Sequence, residues 1–185
     1  NVDAVVVRQV DCSGGSKKVT LAVPIREPIH AGQFCHVLCE DTTDPLLRRP
    51  FSFWDVESRA DGMHVDLLYT VVGRGTEVLG KKNPGERVSL LGPLGIGFTP
   101  ADLATYVFVA GGVGIVPFYL FAKQVFASGR KPRILLIFGG RTGSMLYGID
   151  DFPAIGVEVL AATEDGSRGM KGLVTNLLEE HLPKL

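Results

Sequence analysis

The pattern of hydrophobic and polar positions along the chain changes near residue 100. Before this point, short runs rich in β-branched and aromatic residues are separated by turn-forming Gly, Pro, Asn and Asp. The runs are AVVVRQV, KKVTLAV, QFCHVLC, FSFWDV, MHVDLLYTVV and RVSLLG. Six strands at this spacing are typical of a small antiparallel barrel or sandwich, and we predict a six-stranded antiparallel β-barrel over residues 1–100.

After residue 100 the pattern alternates between strands and helices. The runs ATYVFVA, RILLIFGG and VEVLAAT are nearly continuous in apolar residues, as in strands buried on both faces of a parallel sheet. Helices are predicted from about Ile115 to Ser128 and within KGLVTNLLEEHL, where Leu173, Leu177 and Leu178 share a face. We therefore predict a Rossmann-like parallel α/β domain over residues 101–185. Because three strands are recognisable and the sequence ends on a helix, we expect this domain to be truncated at its C-terminus or completed by a partner.

Composition narrows the class of protein. Lys and Arg number 19 against 20 Asp and Glu, and no basic block stands out, so a nucleic-acid partner is not expected. The longest apolar stretch, VGIVPFYLFA, is about half the length of a membrane span and contains Pro117, so no membrane insertion is expected. The N-terminal sequence lacks the features of a signal peptide, and together with the sparse cysteines this predicts a cytoplasmic protein.

Two of the cysteines, Cys35 and Cys39, lie four residues apart in a predicted strand and would share one of its faces. They could be two ligands of a metal or iron–sulfur site. The alternative is that both are small apolar side chains of a packed strand, which the absence of further ligands nearby in sequence favours.

The segment VAGGVGIVPF joins a predicted strand to a predicted helix through glycines. Backbone N–H groups at a helix N-terminus favour a phosphate, and Gly111, Gly112 and Gly114 would let a pyrophosphate approach the backbone. The alternative is a tight strand-to-helix turn without a ligand, and the spacing is not that of the G-x-G-x-x-G dinucleotide motif.

A second glycine segment, YTVVGRGTEVLG, predicts another small anion site. Gly73 and Gly75 flank Arg74, and Thr76 is positioned to cap a short helix. A capped glycine turn without a ligand is the alternative.

The segment LLRRPFSFWD combines cationic, aromatic and hydroxyl side chains. Arg49 could hold a phosphate through charge-assisted hydrogen bonds. Alternation along a strand places Ser52 opposite to Phe51 and Phe53, which suits the edge of a flat, polar-rimmed ring. The alternative is a core strand preceded by two solvated arginines.

In this order, the three motifs resemble those of the ferredoxin reductase-like flavoproteins, in which a flavin-binding β-barrel precedes a β/α domain for the nicotinamide nucleotide. The resemblance narrows to the electron-transfer subunit of the two-subunit, NAD-linked dihydroorotate dehydrogenase. It rests on LLRRPFSF, YTVVGRGTEVL, LLGPLGIGF, VAGGVGIVPF, FGGRT and ATEDGSRGMKGLVTNLLEEHL, which span most of the chain from residue 46 onward.

The resemblance implies a set of cofactor contacts. For FAD these are Arg49, Pro50, Phe51, Ser52, Leu68, Tyr69, Thr70, Gly75 and Thr76, and for NAD they are Gly111, Gly112, Val113, Gly114, Glu164 and Asp165. Arg49 and the backbone at Gly75–Thr76 are expected to share the pyrophosphate, and Ser52, the candidate catalytic residue, is expected near flavin N5. Register makes Arg49 the ligand contact, so Arg48 is expected at solvent or a subunit surface. Alternation places Trp54 on the Ser52 face, but the motif ends before it, and packing in the core is expected.

Nucleotide choice follows from charge in the segment TEDGSRG. The carboxylates of Glu164 and Asp165 would repel a 2′-phosphate, which favours NADH over NADPH, whereas Arg141 and Arg168 argue the other way.

The resemblance also implies a partner subunit that carries FMN and oxidises dihydroorotate to orotate in pyrimidine biosynthesis, with electrons passing through a [2Fe–2S] cluster and FAD to NAD⁺. Family members hold that cluster in a cysteine-rich C-terminal tail, whereas the last cysteine here is Cys39, so no metal site is expected in this chain. A subunit of another NAD(P)H–flavin, ferredoxin or sulfide-linked oxidoreductase is the alternative. A non-catalytic nucleotide-binding module is a more remote one.

Overall fold

The computed structural model describes residues 1–40, 44–60 and 62–184. The chain divides into two compact units, the first spanning Asn1–Phe98 and the second beginning at Thr99.

The first unit is built on one antiparallel sheet of seven strands. The strands are β1 (Val2–Asp11), β2 (Ser16–Val23), β3 (Phe34–Leu38), β4 (Arg49–Ser52), β5 (Asp55–Arg59), β6 (Gly62–Thr70) and β7 (Arg87–Leu94). Their order is β4-β3-β7-β1-β2-β6-β5, and a short helix, α1 (Arg74–Leu79), connects β6 to β7. The sheet is barrel-like but does not close, because β4 and β5 are its two end strands.

The strand count corrects the prediction of six strands, because FSFWDV forms parts of two. Phe53 and Trp54 separate β4 from β5 and are both buried, so the in–out alternation expected of one continuous strand stops there. The Trp54 amide donates to the carbonyl of Asp66 in β6 over 2.8 Å. The chain thereby leaves β3, the partner of β4, and joins β6, the partner of β5. Burial of Trp54 in the core agrees with the prediction.

The interior of this sheet is filled by alternating apolar side chains. Val19 and Leu21 of β2 and Val65 and Leu67 of β6 are fully buried. Removing a side chain of this size from water contributes about 1.5–3 kcal/mol.

The two cysteines of the β3 region belong to this packed interior. Cys35 and Cys39 are buried, and a Cβ added at Gly92 would lie 2.8 Å from Cys35 Cβ. Burial raises the pKa of the Cys35 thiol to about 12. Among the described residues, no group of His, Cys, Asp and Glu side chains is arranged to hold a metal ion. The packing favours the small-apolar interpretation of these cysteines.

The second unit is a parallel sheet with helices, as predicted. Its strands are β8 (Thr105–Gly111), β9 (Arg133–Gly140), β10 (Glu158–Thr163) and β11 (Met170–Lys171), in the order β11-β10-β9-β8. A 3₁₀ turn (Gly112–Ile115) leads from β8 into α2 (Val116–Ala127), and α3 (Val174–His181) follows β11. The prediction missed β11, because two residues are too few to produce a hydrophobic pattern.

Helix α3 packs on this sheet through two of the three leucines predicted to share a face, Leu177 and Leu178. Leu177 is buried with Leu135 and Ile137 of β9, and Val174 packs against the same cluster. Leu173 precedes the helix and is 54% exposed, so it does not belong to the packed face. Over the described parts of the chain, no helix is long and apolar enough to cross a bilayer.

Candidate functional site

In the first unit, the side chain of Arg49 lies against the start of α1. Arg49 opens β4, and a Cβ added at Gly75 would stand 2.7 Å from Arg49 Nε and 3.0 Å from its Cγ. Real Cβ contacts are not this short, so this approach requires glycine at position 75. The structure therefore brings together two of the residues expected to share a pyrophosphate.

The start of α1 presents backbone donors at the same place. Arg74, Gly75 and Thr76 are its first three residues, and within the described chain their amides have no hydrogen-bond acceptor. The first backbone bond of the helix is donated by Glu77 to the carbonyl of Gly73 over 2.9 Å. Free amides, the positive end of the helix and the Arg49 guanidinium together favour an anion.

Thr76 stabilises the turn in a way that differs from the prediction. It is the third residue of α1 and not the residue that precedes the helix. Its hydroxyl accepts from the amides of Val72 and Gly73 at 3.0 and 3.2 Å and donates to the Gly73 carbonyl at 2.8 Å. Because the hydroxyl is already used, the backbone amide is the group that Thr76 offers to a ligand.

The adjacent arginines have different roles. Arg48 donates to the carbonyl and hydroxyl of Ser89 in β7, at 2.8 and 3.0 Å, and to the side chain of Asn1 at 3.2 Å. This corrects the expectation that Arg48 faces solvent or another subunit, because the residue ties the start of β4 to its own sheet. Arg49 donates to the Leu47 carbonyl and otherwise faces the Gly75 turn.

Aromatic side chains continue the site along β4 and β6. The ring of Phe51 meets the ring of Tyr69 edge-on, with centroids 5.4 Å apart. Leu68 and Tyr69 are buried, whereas Ser52 and Thr70 at the ends of their strands are half-buried. Pro50 is exposed on β4, an end strand of the sheet, where its missing N–H is tolerated.

Among the described residues, two buried polar atoms near this site make no hydrogen bond of ordinary geometry. They are the hydroxyl of Tyr69 and the side-chain oxygen of Gln9, and the Gln9 side chain is close enough to that hydroxyl to interact with it. Burial raises the pKa of the Tyr69 hydroxyl, so it is a neutral donor. Gln9 was not a predicted site residue; its amide nitrogen donates to the carbonyl of Leu79, the last residue of α1, over 2.8 Å. Nothing in the sequence around Gln9 distinguishes it from an ordinary strand residue.

The second unit contains a groove of about 420 Å³ at the carboxyl ends of its strands. Its lining residues are Gly111, Gly112, Gly139, Gly140, Arg141, Met145, Glu164, Gly172, Leu173, Val174 and Thr175. The structure therefore brings Gly111, Gly112 and Glu164 to one groove, whereas Val113, Gly114 and Asp165 do not line it. Arg141 and the residues from Gly172 to Thr175 were not predicted as contacts. Ligands of open α/β sheets generally bind at the carboxyl ends of the strands, so the position of these residues after β9 and β11 was the available signal.

The glycine turn that borders this groove is more open than a packed turn requires. Gly112 has a φ of 54°, which glycine adopts without strain, so the chain reversal accounts for this residue. A Cβ added at Gly114 would meet no heavy atom within 4 Å, so internal packing does not explain glycine there. The exposed Val113 side chain lies in the same turn. Open space at Gly114 is compatible with a ligand close to the backbone.

The charged residues of the neighbouring loop are mostly paired with each other. Both terminal guanidinium nitrogens of Arg168 donate to the Asp150 carboxylate, and this contact lowers the pKa of Asp150. The Asp165 carboxylate accepts from the hydroxyl and amide of Ser167 at 2.6 and 3.0 Å. Glu164 and Arg141 are therefore the charged side chains that line the groove itself.

Comparison with known proteins defines the class of the fold. No protein-family model matches the chain. The chain is similar to a solved structure of an NADH-dependent reduced ferredoxin–NADP oxidoreductase, described in a study of flavin-based electron bifurcation. The two structures superpose with a TM-score of 0.84 at 26% sequence identity. The match covers 98% of this chain and 64% of the other. The fold is thus that of the ferredoxin reductase-like flavoproteins.

Curated relatives define the family. The chain is 40% identical, over 88% of its length, to the dihydroorotate dehydrogenase B (NAD⁺) electron transfer subunit of Desulforamulus reducens. It is 36% identical, over 97% of its length, to the corresponding subunit of Lysinibacillus sphaericus. The chain belongs to the family of dihydroorotate dehydrogenase B electron transfer subunits. It spans 58% of the first relative and 69% of the second.

Proposed function

We propose that this chain is the FAD- and NAD-binding part of an oxidoreductase electron-transfer subunit, working between a dihydroorotate-oxidising partner and NAD⁺. The observation that carries this proposal is the contact of Arg49 with the Gly75 turn, where a guanidinium and free helix amides converge. Family membership supplies the reaction class. Together with the resemblance noted from the sequence, it supports a role in pyrimidine biosynthesis.

The residues of the first unit fit a flavin dinucleotide. Arg49 and the amides of Gly75 and Thr76 would hold the pyrophosphate through charge-assisted bonds. The remaining proposed contacts follow β4 and the end of β6: Pro50, Phe51, Ser52, Leu68, Tyr69 and Thr70. Ser52 is the candidate next to the reactive edge of the ring. When bound, FAD supplies hydride exchange with a nicotinamide and single-electron exchange with a metal centre.

The groove of the second unit fits the nicotinamide nucleotide. Gly111 and Gly112 line it, and Val113 and Gly114 continue the same turn toward the start of α2. We propose that NADH is preferred to NADPH because the Glu164 carboxylate would repel a 2′-phosphate at this edge. Pairing of Arg168 with Asp150 leaves Arg141 as the opposing charge in the groove.

The partner proposed for the chain is the catalytic subunit that the relatives' name, electron transfer subunit, implies. From the resemblance noted in the sequence, we expect that partner to carry FMN and to oxidise dihydroorotate, and both subunits to work in the cytoplasm. This chain alone is expected not to oxidise dihydroorotate, because the resemblance noted from the sequence assigns that step to the partner subunit.

An iron–sulfur cluster does not fit the described residues. Cys35 and Cys39 are packed inside the first unit, and no metal-binding group of side chains is present in the described part of the chain.

The proposed function is tested by purifying the chain with FAD and titrating it with NADH under anaerobic conditions. We expect one FAD per chain and bleaching of the visible flavin absorption by NADH. FAD binding without bleaching would contradict the electron-transfer role and leave a cofactor-binding module.

The alternative is a subunit of another NAD(P)H-linked flavin reductase, which the likeness to the ferredoxin–NADP oxidoreductase favours. Co-purification from the native host distinguishes the two. A co-purifying subunit that reduces its own FMN with dihydroorotate supports the primary proposal, and one that reacts only with ferredoxin supports the alternative.

A further inference from the structure

Two loops of the second unit form one side of the groove, and their backbones are directly hydrogen-bonded. The first loop follows β9 and the second follows β10. The amide of Glu164 donates to the carbonyl of Gly140 over 3.1 Å, and the amide of Asp165 donates to the carbonyl of Arg141 over 3.2 Å. These bonds extend the pairing of β9 with β10 past the end of the sheet, so the two loops leave it side by side.

A side-chain brace continues this connection beyond the backbone bonds. The Ser167 hydroxyl accepts from the amide of Gly143 over 2.7 Å and donates to Asp165 Oδ1 over 2.6 Å. The Ser167 amide donates to the same carboxylate oxygen over 3.0 Å. A Cβ at Gly143 would lie 3.0 Å from Arg168 Cβ, so the two loops approach more closely than most side chains allow.

We propose that Asp165 and Ser167 are positioning residues for the nicotinamide nucleotide: their brace fixes the loop at Gly143 so that Arg141 and Met145 line the groove. This inference rests on the proposed function, because it assigns the groove to the nucleotide. It also reassigns Asp165, which the sequence suggested as a direct nucleotide contact. One carboxylate oxygen of Asp165 already accepts two bonds from Ser167, and the residue is not part of the groove lining.

The charge state of the brace is stable near neutral pH. The hydrogen bonds from Ser167 lower the pKa of Asp165, so the carboxylate is ionised and remains an acceptor. Because these groups are exposed, the brace competes with water and contributes to loop order more than to the stability of the fold. Loss of one such bond is expected to raise the KM for NADH by roughly three- to tenfold.

Variants that separate hydrogen bonding from charge test this inference. Asp165→Asn keeps an oxygen acceptor for Ser167 but removes the negative charge. Asp165→Ala and Ser167→Ala each break the brace. The assay is steady-state NADH oxidation by the FAD-loaded chain with an artificial electron acceptor, alongside thermal unfolding.

The brace predicts that Asp165→Asn retains the wild-type KM, whereas both alanine variants raise KM by roughly three- to tenfold with kcat nearly unchanged. The double alanine variant is expected to be no worse than either single variant, because both remove the same interaction. If Asp165 and Ser167 only stabilise the fold, the alanine variants will instead have lower FAD content and a lower Tm together with lower activity. That result would overturn the inference.

Failure of the inference is distinguishable from failure of the proposed function. If Asp165→Asn impairs NADH use as much as Asp165→Ala while Ser167→Ala has no effect, Asp165 contacts the nucleotide directly and the brace is wrong. If the wild-type chain does not bind NADH at all, both the inference and the proposed function fail.

Discussion

The contact between Arg49 and Gly75 predicts that a single added methyl group separates flavin binding from fold stability. In Gly75→Ala, the new Cβ would lie 2.7 Å from Arg49 Nε and 3.1 Å from its Cζ. The arginine side chain is flexible, so it moves and the backbone does not. Position 75 lies in the first turn of α1, where alanine is favoured over glycine by up to about 1 kcal/mol. The flavin-free fold is therefore expected to be as stable as the wild type, or slightly more stable.

The effect on FAD follows from losing the charge-assisted contact of the displaced guanidinium. Such a hydrogen bond contributes about 1.5–3 kcal/mol, so the Kd for FAD should rise by roughly 10- to 150-fold. The Kd is measured by fluorescence titration of the flavin-free chain, and its stability by urea unfolding without FAD, because bound ligand would itself add stability.

Two further variants make this prediction specific. Arg49→Ala should weaken FAD binding to a similar extent, and Gly75→Ala should add little to it in the double variant, because both changes remove one interaction. Gly114→Ala is the matched glycine control, since its Cβ would meet open space in the second unit. We expect it to leave FAD binding unchanged and to weaken NADH binding. Wild-type FAD affinity in Gly75→Ala, or a loss of affinity matched by a loss of stability, would refute the reasoning.

Other predictions concern the core, the thiols and the groove. Arg48→Ala should lower the free energy of unfolding by about 1–3 kcal/mol without altering the flavin spectrum, because the hydrogen bonds of Arg48 to Ser89 hold strands together and do not contact the flavin site. A change in FAD affinity in this variant would contradict that role. Because burial raises the pKa of Cys35 to about 12, this thiol should resist iodoacetamide at pH 8 in the folded chain, whereas the half-buried Cys12 should react. Mass spectrometry follows the labelling, and early labelling of Cys35 would contradict its burial in the packed interior. Glu164→Lys should lower the KM for NADPH relative to the KM for NADH, because the carboxylate that repels a 2′-phosphate is replaced by a cation. If the variant keeps the wild-type preference, Glu164 does not determine which nucleotide is used.

Much of the fold follows from local patterns in the sequence. Alternation of polar and apolar residues identified the strands of the first unit, and continuous apolar runs identified β8, β9 and β10. The predicted number of strands in the first unit was wrong, because the local hydrophobic pattern of FSFWDV suggests one strand whereas its backbone pairing divides it between two. Phe53 and Trp54 look like the centre of a strand, but both are buried where the chain passes from one strand partner to another.

The site was less predictable where contacts join residues distant in sequence. Strand register separated Arg49 from Arg48 but gave Arg48 the wrong place, because the carbonyl that accepts from Arg48 belongs to Ser89, on another strand. The approach of Arg49 to Gly75 likewise depends on how β4 and the end of β6 are placed in the sheet. By contrast, the bond from Ser167 to Asp165 is local, and an aspartate two residues before a serine in a glycine-containing turn is a recognisable signal for it.

The central claim is that this chain binds FAD and exchanges electrons with a nicotinamide nucleotide. The most direct measurement is the visible absorption spectrum of the purified chain, reconstituted with FAD, before and after anaerobic addition of NADH. We predict a flavin spectrum that NADH bleaches and that air restores. A chain that remains colourless after reconstitution, or a flavin spectrum that NADH leaves unchanged, would contradict it.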